Sequence, residues 1–277
     1  MDESELETRL GVPVTTFDAT PDTSGSLRRQ IPDAPHGSFA VANELTAARG
    51  RTGNAWAAPP GGVWSSTLLY PELSPAQVGR LTIAGGVATC ETARSFGLDA
   101  RLKWPNDVVV DRDGDRNKLA GVLTEAIVDA VPVVGKPVGD VFDDPGELEA
   151  VVMGIGVNAD LDPDALDTDR AVTTIRAERG EPVSRQSVAA RLHERLLARV
   201  ELAETDGGFA DVLDSWREHA VTLGERVRAE TGAGEADTET IRGRAVDVSE
   251  TGALLIETDS GTRELTDGEC ESVRRVS

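Results

Sequence analysis

The chain has 277 residues, of which 39% are hydrophobic and 28% charged, with 28 Lys and Arg set against 49 Asp and Glu for a formal net charge of −21. That length supports a buried core without disulfide or metal staples, and the composition excludes a disordered tail, while no run of ~18 apolar residues is present to span a bilayer. A field this negative repels nucleic acid and anionic membrane surfaces, so neither is expected as a partner. Residues 1–37 read as mixed, with turn formers around Pro21–Gly25 and Pro32–Gly37. SFAVAN (38–43) and VWSSTLLY (63–70) read as strands on either side of a Gly/Arg segment, Arg49–Gly53. Ser74, Pro75 and Gln77 form a capping box with Pro at the first helical position. The helix that follows carries Val78, Leu81, Ala84, Gly85 and Ala88 on one face and stops at Gly97.

RLKWPNDVVV (101–110) is strand-like and interrupted by Pro105. DRDGDRN turns the chain, and KLAGVLTEAIV (118–128) returns as the second arm of a hairpin. Residues 129–150 read as a loop or insertion, VVMGIGVN (151–158) as a buried strand and 160–183 as mostly loop. Ser184 caps a predicted helix to about Glu204, with Val188, Leu192, Leu196 and Val200 in period. Gly207–Ala220 is predicted as a second helix carrying Phe209, Val212, Leu213 and Trp216. From about Leu223, five short strand-like runs (GERVRAE, TIRGRAVDV, GALLIET, GTRELT, ESVRRV) suggest a small closed barrel. A domain boundary is placed near residue 221, giving 1–220 and 221–277.

Several patterns exclude chemistry. Gly154-Ile-Gly156-Val-Asn158-Ala159 matches G-x-G-x-x-A, but the Asp- and Pro-rich ADLDPDALD after it is no cofactor helix, so a dinucleotide fold is rejected. The glycines still permit close backbone approach to a ligand, or mark a turn at a strand end. Asp111, Asp113 and Asp115 begin like a calcium loop, but Arg116 stands at the obligatory Gly and Val122 at the bidentate Glu. No metal ligands are expected from the protein. His36, His193 and His219 form no triad. Cys90 and Cys270 form no framework, and the acidic N-terminus lacks a basic and an apolar signal region, so a cytoplasmic setting is expected. The −21 charge is read as an acidic, halophile-like solvation device suited to high salt, against the alternative of an ordinary acidic protein.

Two patterns point to chemistry instead. Arg49 and Arg51 flank Gly50 in a strongly acidic chain, and arginine offers a bidentate fork to phosphate or carboxylate. The alternative is a solvated basic loop. Only three of the 28 cations are lysines, yet Lys103 lies mid-strand between Leu102 and Trp104, a setting that calls for an anionic partner. Pro105 breaks the ladder and lets Asn106 and Asp107 turn aside, so a cation, an amide and a carboxylate converge. A bulged strand with a Lys–Asp pair is the alternative.

Together these segments resemble the biotin–protein ligase family. ARGRTGNAW (48–56) is similar to its Gly/Arg loop, LKWPNDV (102–108) matches its K-W-P-N-D signature, and KLAGVLTE (118–125) resembles its K-x-A-G strand. GIGVN (154–158) matches G-x-G-[IV]-N, and GALLIE (252–257) is similar to a strand of its C-terminal barrel. The resemblance implies an α+β fold: a mixed β-sheet flanked by helices, of the class II synthetase type, followed by a small C-terminal β-barrel. It implies a two-step reaction in which biotin and ATP, with Mg²⁺, give biotinyl-5′-AMP, and the biotinyl group then passes to a lysine of a biotin carboxyl carrier protein. It assigns Lys103 as the cation between two repelling anions, with Arg49 and Arg51 covering the adenylate. Gly50, Gly53, Trp56, Asn106, Asp107, Lys118, Gly121, Gly154, Gly156 and Asn158 are implied to line the substrate and ATP sites.

Departures from the family pattern fall on the biotin ring. FDATPDT (17–23) stands where the family has D-S-T-N: Ala19 replaces a serine that bonds the ureido ring, Thr20 is kept and Pro21 replaces the asparagine. Leu45 replaces a glutamine, Ala48 a glycine and Asn54 a basic residue. Weaker biotin binding, or a ring held by other groups, follows. The other functions weighed are a lipoate–protein ligase and a non-catalytic biotin or adenylate binder. About 16 residues precede the first motif, too few for the DNA-binding module of some members, so no repressor role is expected. A monomer or homodimer is expected.

Overall fold

The computed structural model describes all residues except 52, 54, 55, 113, 231–238 and 273–277. Asn54, Asp113 and the end of the last predicted strand therefore lie outside the described residues. The order is α1 (Glu3–Leu10), β1 (Val14–Thr20), α2 (Ser24–Arg28), β2 (Phe39–Leu45), β3 (Val63–Leu69), α3 (Gly79–Arg94), β4 (Ala100–Lys103), β5 (Asp107–Arg112), β6 (Asp115–Val128), β7 (Val131–Val134), β8 (Leu148–Val157), α4 (Ile175–Arg179), α5 (Arg185–Ala203), α6 (Asp206–His219) and β9 to β13 (Arg226–Glu230, Thr240–Val248, Leu254–Thr258, Gly261–Leu265, Glu269–Ser272). No helix among the described residues is long and apolar enough to cross a membrane.

The first eight strands form one mixed sheet in the order β1-β2-β3-β8-β6-β5-β4, with β7 added beside β6. Only β1 and β2 pair in parallel; the rest are antiparallel. Period-2 alternation gives each strand two roles. On β8, Val151, Met153, Ile155 and Val157 enter the main core beneath α3, α5 and α6, whereas Gly154 and Gly156 face the other side. On β2, Phe39 and Val41 join the main core and Ala40 and Ala42 two smaller clusters on the opposite face. The helices thus cover one face, and the other is free for a cavity roofed by loops.

The capping box at Ser74 is present, with Gln77 Oε1 accepting from Ser74 N at 3.0 Å and Ser74 Oγ at 2.8 Å, but it opens a 3₁₀ turn, Pro75–Gln77, before α3 begins. Residues 1–37 are more regular than their sequence suggests. Asp2 caps α1 by accepting from Glu5 N, and α2 is a five-residue helix with no periodicity to read. The segment 129–150, expected as loop, contains β7, folded back on β6 by a turn whose central residues, Asp129 and Ala130, both have positive φ, as in a type I′ hairpin. Thr174 caps α4 in the other expected loop.

β9 to β13 form a separate antiparallel sheet in the order β12-β11-β10-β9-β13. Among the described residues no pairing joins the edge strands β12 and β13 to close the expected barrel. Its buried residues, among them Val227, Ile241, Leu254 and Ile256, belong to the same core cluster as the large sheet. Trp104, 2% exposed, ties the two by donating from Nε1 to Gly252 O at 3.1 Å.

Candidate active site

On the face away from α3, α5 and α6, a cavity of about 650 Å³ lies over β3, β8 and β6. Its glycines are there for space. A Cβ on Gly121 would sit 3.2 Å from Lys118 Nζ, and one on Gly156 would sit 3.2 Å from the Trp64 ring. Bare backbone is therefore what lets a lysine and an indole lie across the floor.

One end is charged. Lys118 Nζ lies 2.5 Å from Asp107 Oδ1 and 4.6 Å from the centre of the Trp56 ring. Strand register explains how Lys118 comes to face the cavity. Strict alternation from Gly121, Leu123 and Glu125 would send Lys118 to the helix face. Val108 pairs with Ala120 but Val109 with Lys118, so Leu119 is an extra residue on β6 and the phase flips there. Asn106 Nδ2 donates to Val122 O at 2.8 Å and Val122 N to Asn106 O at 2.9 Å, which locks the turn after Pro105 against β6.

The other end is rich in hydroxyls. Thr23 and Ser66 share a hydrogen bond of 2.8 Å and are 3% and 2% exposed. Ser24 Oγ lies 2.6 Å from Asp22 Oδ1 and 2.6 Å from Glu125 Oε1, and Arg28 ion-pairs with Glu125. Burial pushes the Glu125 carboxyl above its ordinary pKa, against the lowering influence of Ser24 and Arg28. Leu45, Arg49, Gly50, Arg51 and Gly53 form the roof between the two ends.

Five predicted residues fall outside the cavity lining. Lys103 is not among the lining residues: it shares a face with Asp107, its partner across β4–β5, but β4 is the sheet edge, two strands from β6. Its ammonium instead opposes the rise of the Cys270 thiol on β13, which burial pushes up to about 11. The lysine that lines the cavity is Lys118, and Asp107 reaches the site through its ion pair with it. Ala19 and Thr20 end β1 short of the cavity; Thr20 Oγ1 donates to Asp22 O at 3.3 Å. Asn158 is fully buried behind Lys118, donating from Nδ2 to Lys118 O at 3.3 Å and Thr173 O at 3.0 Å, while its Oδ1 has no partner.

Comparison with known proteins places this geometry. Residues 16–135 match the Biotin/lipoate A/B protein ligase family and residues 222–272 the Biotin protein ligase C terminal domain, together more than half of the chain. The chain belongs to the biotin protein ligase family. It is 27% identical over 246 residues to the bifunctional ligase/repressor BirA of Bacillus subtilis, covering 86% of this chain and 67% of that one. It is also 27% identical to the biotin--[acetyl-CoA-carboxylase] ligase of Paracoccus denitrificans, covering 87% and 93%. In fold it is similar to the Aquifex aeolicus biotin protein ligase solved with biotin and ATP, with a TM-score of 0.71, 23% identity, and 94% and 98% of the two chains covered.

Family membership sharpens what sequence reasoning missed. The D-S-T-N position, placed at Ala19 to Pro21, keeps Thr20 but lacks the serine and the asparagine. The cavity wall is supplied a few residues later, by Thr23 and Ser24 at the start of α2 and Ser66 on β3. The readable signal was Asp22-Thr23-Ser24, an acid followed by two hydroxyls, which the strand-like FDAT before it obscured.

Proposed function

We propose that the chain is an ATP-dependent biotin–protein ligase. It joins the biotin carboxylate to the α-phosphate of ATP, giving biotinyl-5′-AMP and pyrophosphate, and passes the biotinyl group to a lysine of a biotin carboxyl carrier protein. The observation that carries this reading is the asymmetry of one cavity: Lys118, held by Asp107, at one end and the hydroxyls of Thr23, Ser24 and Ser66 at the other. Such a cavity orients a molecule with a carboxylate at one end and a neutral hydrogen-bonding ring at the other. Lipoate ligases share the family, but the apolar ring of lipoate offers no hydrogen bond to the hydroxyls of Thr23, Ser24 and Ser66 that line this end.

In step one a carboxylate and a phosphate, both anionic, must meet. The Lys118 ammonium is fixed in place by Asp107 and Trp56, so it stabilises the developing charge without reorganising. Arg49 and Arg51 close over the adenylate and exclude water from a hydrolysable anhydride. Arg51 pairs with Asp267 in the ligand-free chain and lines the cavity at the same time. Asn158 supports the site from behind, its Nδ2 donating to the backbone of Lys118 and Thr173. Gly154 and Gly156 offer bare backbone to the ligand. Among the described residues no three His, Cys, Asp or Glu side chains gather to hold a metal, so Mg²⁺ would arrive on the ATP phosphates with its own waters. On this reading residues 1–220 bind biotin and ATP, 221–277 close against them through Arg51 and Trp104, and the enzyme is cytoplasmic, as a monomer or homodimer.

The test is an assay of protein, ATP and Mg²⁺ with labelled biotin or lipoate and a carrier domain. Covalent biotin on the carrier is expected. Lipoyl transfer, or binding without turnover, would overturn the reading.

A further inference from the structure

At the hydroxyl-rich end of the cavity Asp22, Ser24, Glu125 and Arg28 close into a ring. Ser24 Oγ is 2.6 Å from an oxygen of each acid, and Arg28 ion-pairs with Glu125 and lies 3.4 Å from Asp22 Oδ2. A hydroxyl carries one proton, and ionised carboxylates only accept. If both acids were ionised, one of the two contacts would set lone pair against lone pair. The ring would also hold one more negative than positive charge, with the Glu125 carboxylate buried. One added proton removes both problems.

The acids are not equivalent. Asp22 accepts from Ser24 N at 2.7 Å and Gly25 N at 3.0 Å, and its side chain is 41% exposed, so it is held as an anion. The Glu125 residue is 3% exposed. The charged groups facing Glu125 are Asp22 and Arg28, both from residues 21–28; its strand partners, Val152 on β8 and Val134 on β7, carry none.

We propose that Glu125 carries this proton and is a positioning residue for ligand recognition. Its O–H donates to Ser24 Oγ, the Ser24 O–H donates to Asp22, and the remaining lone pair of Ser24 is held toward the cavity as an acceptor for a neutral N–H. The ligand side of this inference rests on the biotin reading above. Loss of the proton releases Ser24 from this orientation, so binding of an N–H ligand is linked to one proton. Burial raises the Glu125 pKa, so the proton is held below the raised value and lost as pH rises through it. Affinity therefore falls toward alkaline pH.

Two measurements test this. Infrared spectra of the ligand-free protein, taken from about pH 5 to 9, should contain a protonated-carboxyl band that disappears on titration and is missing from Glu125→Gln; absence of that band from the wild type overturns the assignment. Calorimetric titration with biotin should give a Kd that rises by about tenfold per pH unit above the Glu125 titration, and a flat profile in Glu125→Gln, whose side chain keeps a donor and does not titrate. A flat wild-type profile, or a slope preserved in Glu125→Gln, overturns it as well. The carboxyl band without any biotin binding would support the proton on Glu125 and count against the biotin reading alone.

Discussion

The two ends of the cavity reach their chemistry by different routes. At the Lys118 end a single charge is oriented by backbone: an extra residue in β6 turns the lysine over, Gly121 makes room for it, and Asp107 and Trp56 hold it. At the Ser24 end no backbone device aims one decisive group. Small polar side chains from α2, β3 and β6 satisfy one another, and the ligand would complete their bonding. An oriented charge acts on the barrier, where charge develops. A network of positioned donors and acceptors acts on affinity and discrimination, because a wrong ligand does not complete its bonding. Damage at the two ends should therefore separate into turnover and binding.

The largest expected effect is at the charged end. Lys118→Ala should cut adenylate formation, followed by pyrophosphate release, by about 10²–10³-fold, the usual cost of removing a preorganised charge-stabilising group. Circular dichroism and biotin binding should show a folded protein. Lys103→Ala, from an edge strand outside the cavity, should stay within about tenfold of wild type. Equal losses from the two variants would put the charge back on Lys103 and break the contrast drawn here.

At the hydroxyl end Ser24→Ala should cost about 1–3 kcal/mol of biotin affinity, because Glu125 and Asp22 lose a buried partner. Turnover at saturating biotin should change far less than Kd. A variant that binds normally but turns over slowly would show that Ser24 acts on the chemistry, and the division between the ends would fall.

The ends also differ in how far their sequence reveals them. KWPND ends on Asp107, the first residue of β5, and KLAGVLTE lies on β6, so local periodicity and turn residues expose the two arms of this hairpin together. The orientation of Lys118 is not local: alternation alone sends it to the wrong face, and the bulge at Leu119 exists only in the register with Val108 and Val109. Lys103 was the attractive candidate because it stands beside apolar residues in the sequence, yet its strand is the sheet edge. The Ser24 end depends on β1 pairing with β2 some 20 residues on, and on a five-residue helix too short for any period. The hairpin to β7 was hidden by a turn made from Asp129 and Ala130 rather than from Gly or Asn. Closure of the C-terminal strands is not legible in sequence, because five short alternating runs look alike in open and closed sheets, the difference lying in one edge pairing.

The smallest expected effect separates the cavity from the surface around it. Exposed charges interact over a Debye length of about 10 Å at 0.1 M salt and about 3 Å at 1 M. Self-repulsion from a net charge of −21 is therefore relieved by KCl, and the thermal midpoint should rise by a few degrees between those concentrations. Surface ion pairs such as Arg9–Glu194, with side chains 42% and 45% exposed, contribute little that salt could remove. The Lys118–Asp107 pair is 14% and 17% exposed and so better shielded from the ions. Biotin Kd should consequently move much less than stability does over the same range. A midpoint that falls as KCl rises would mean that attractive surface pairs outweigh the net repulsion, and the acidic surface would then be no adaptation to salt.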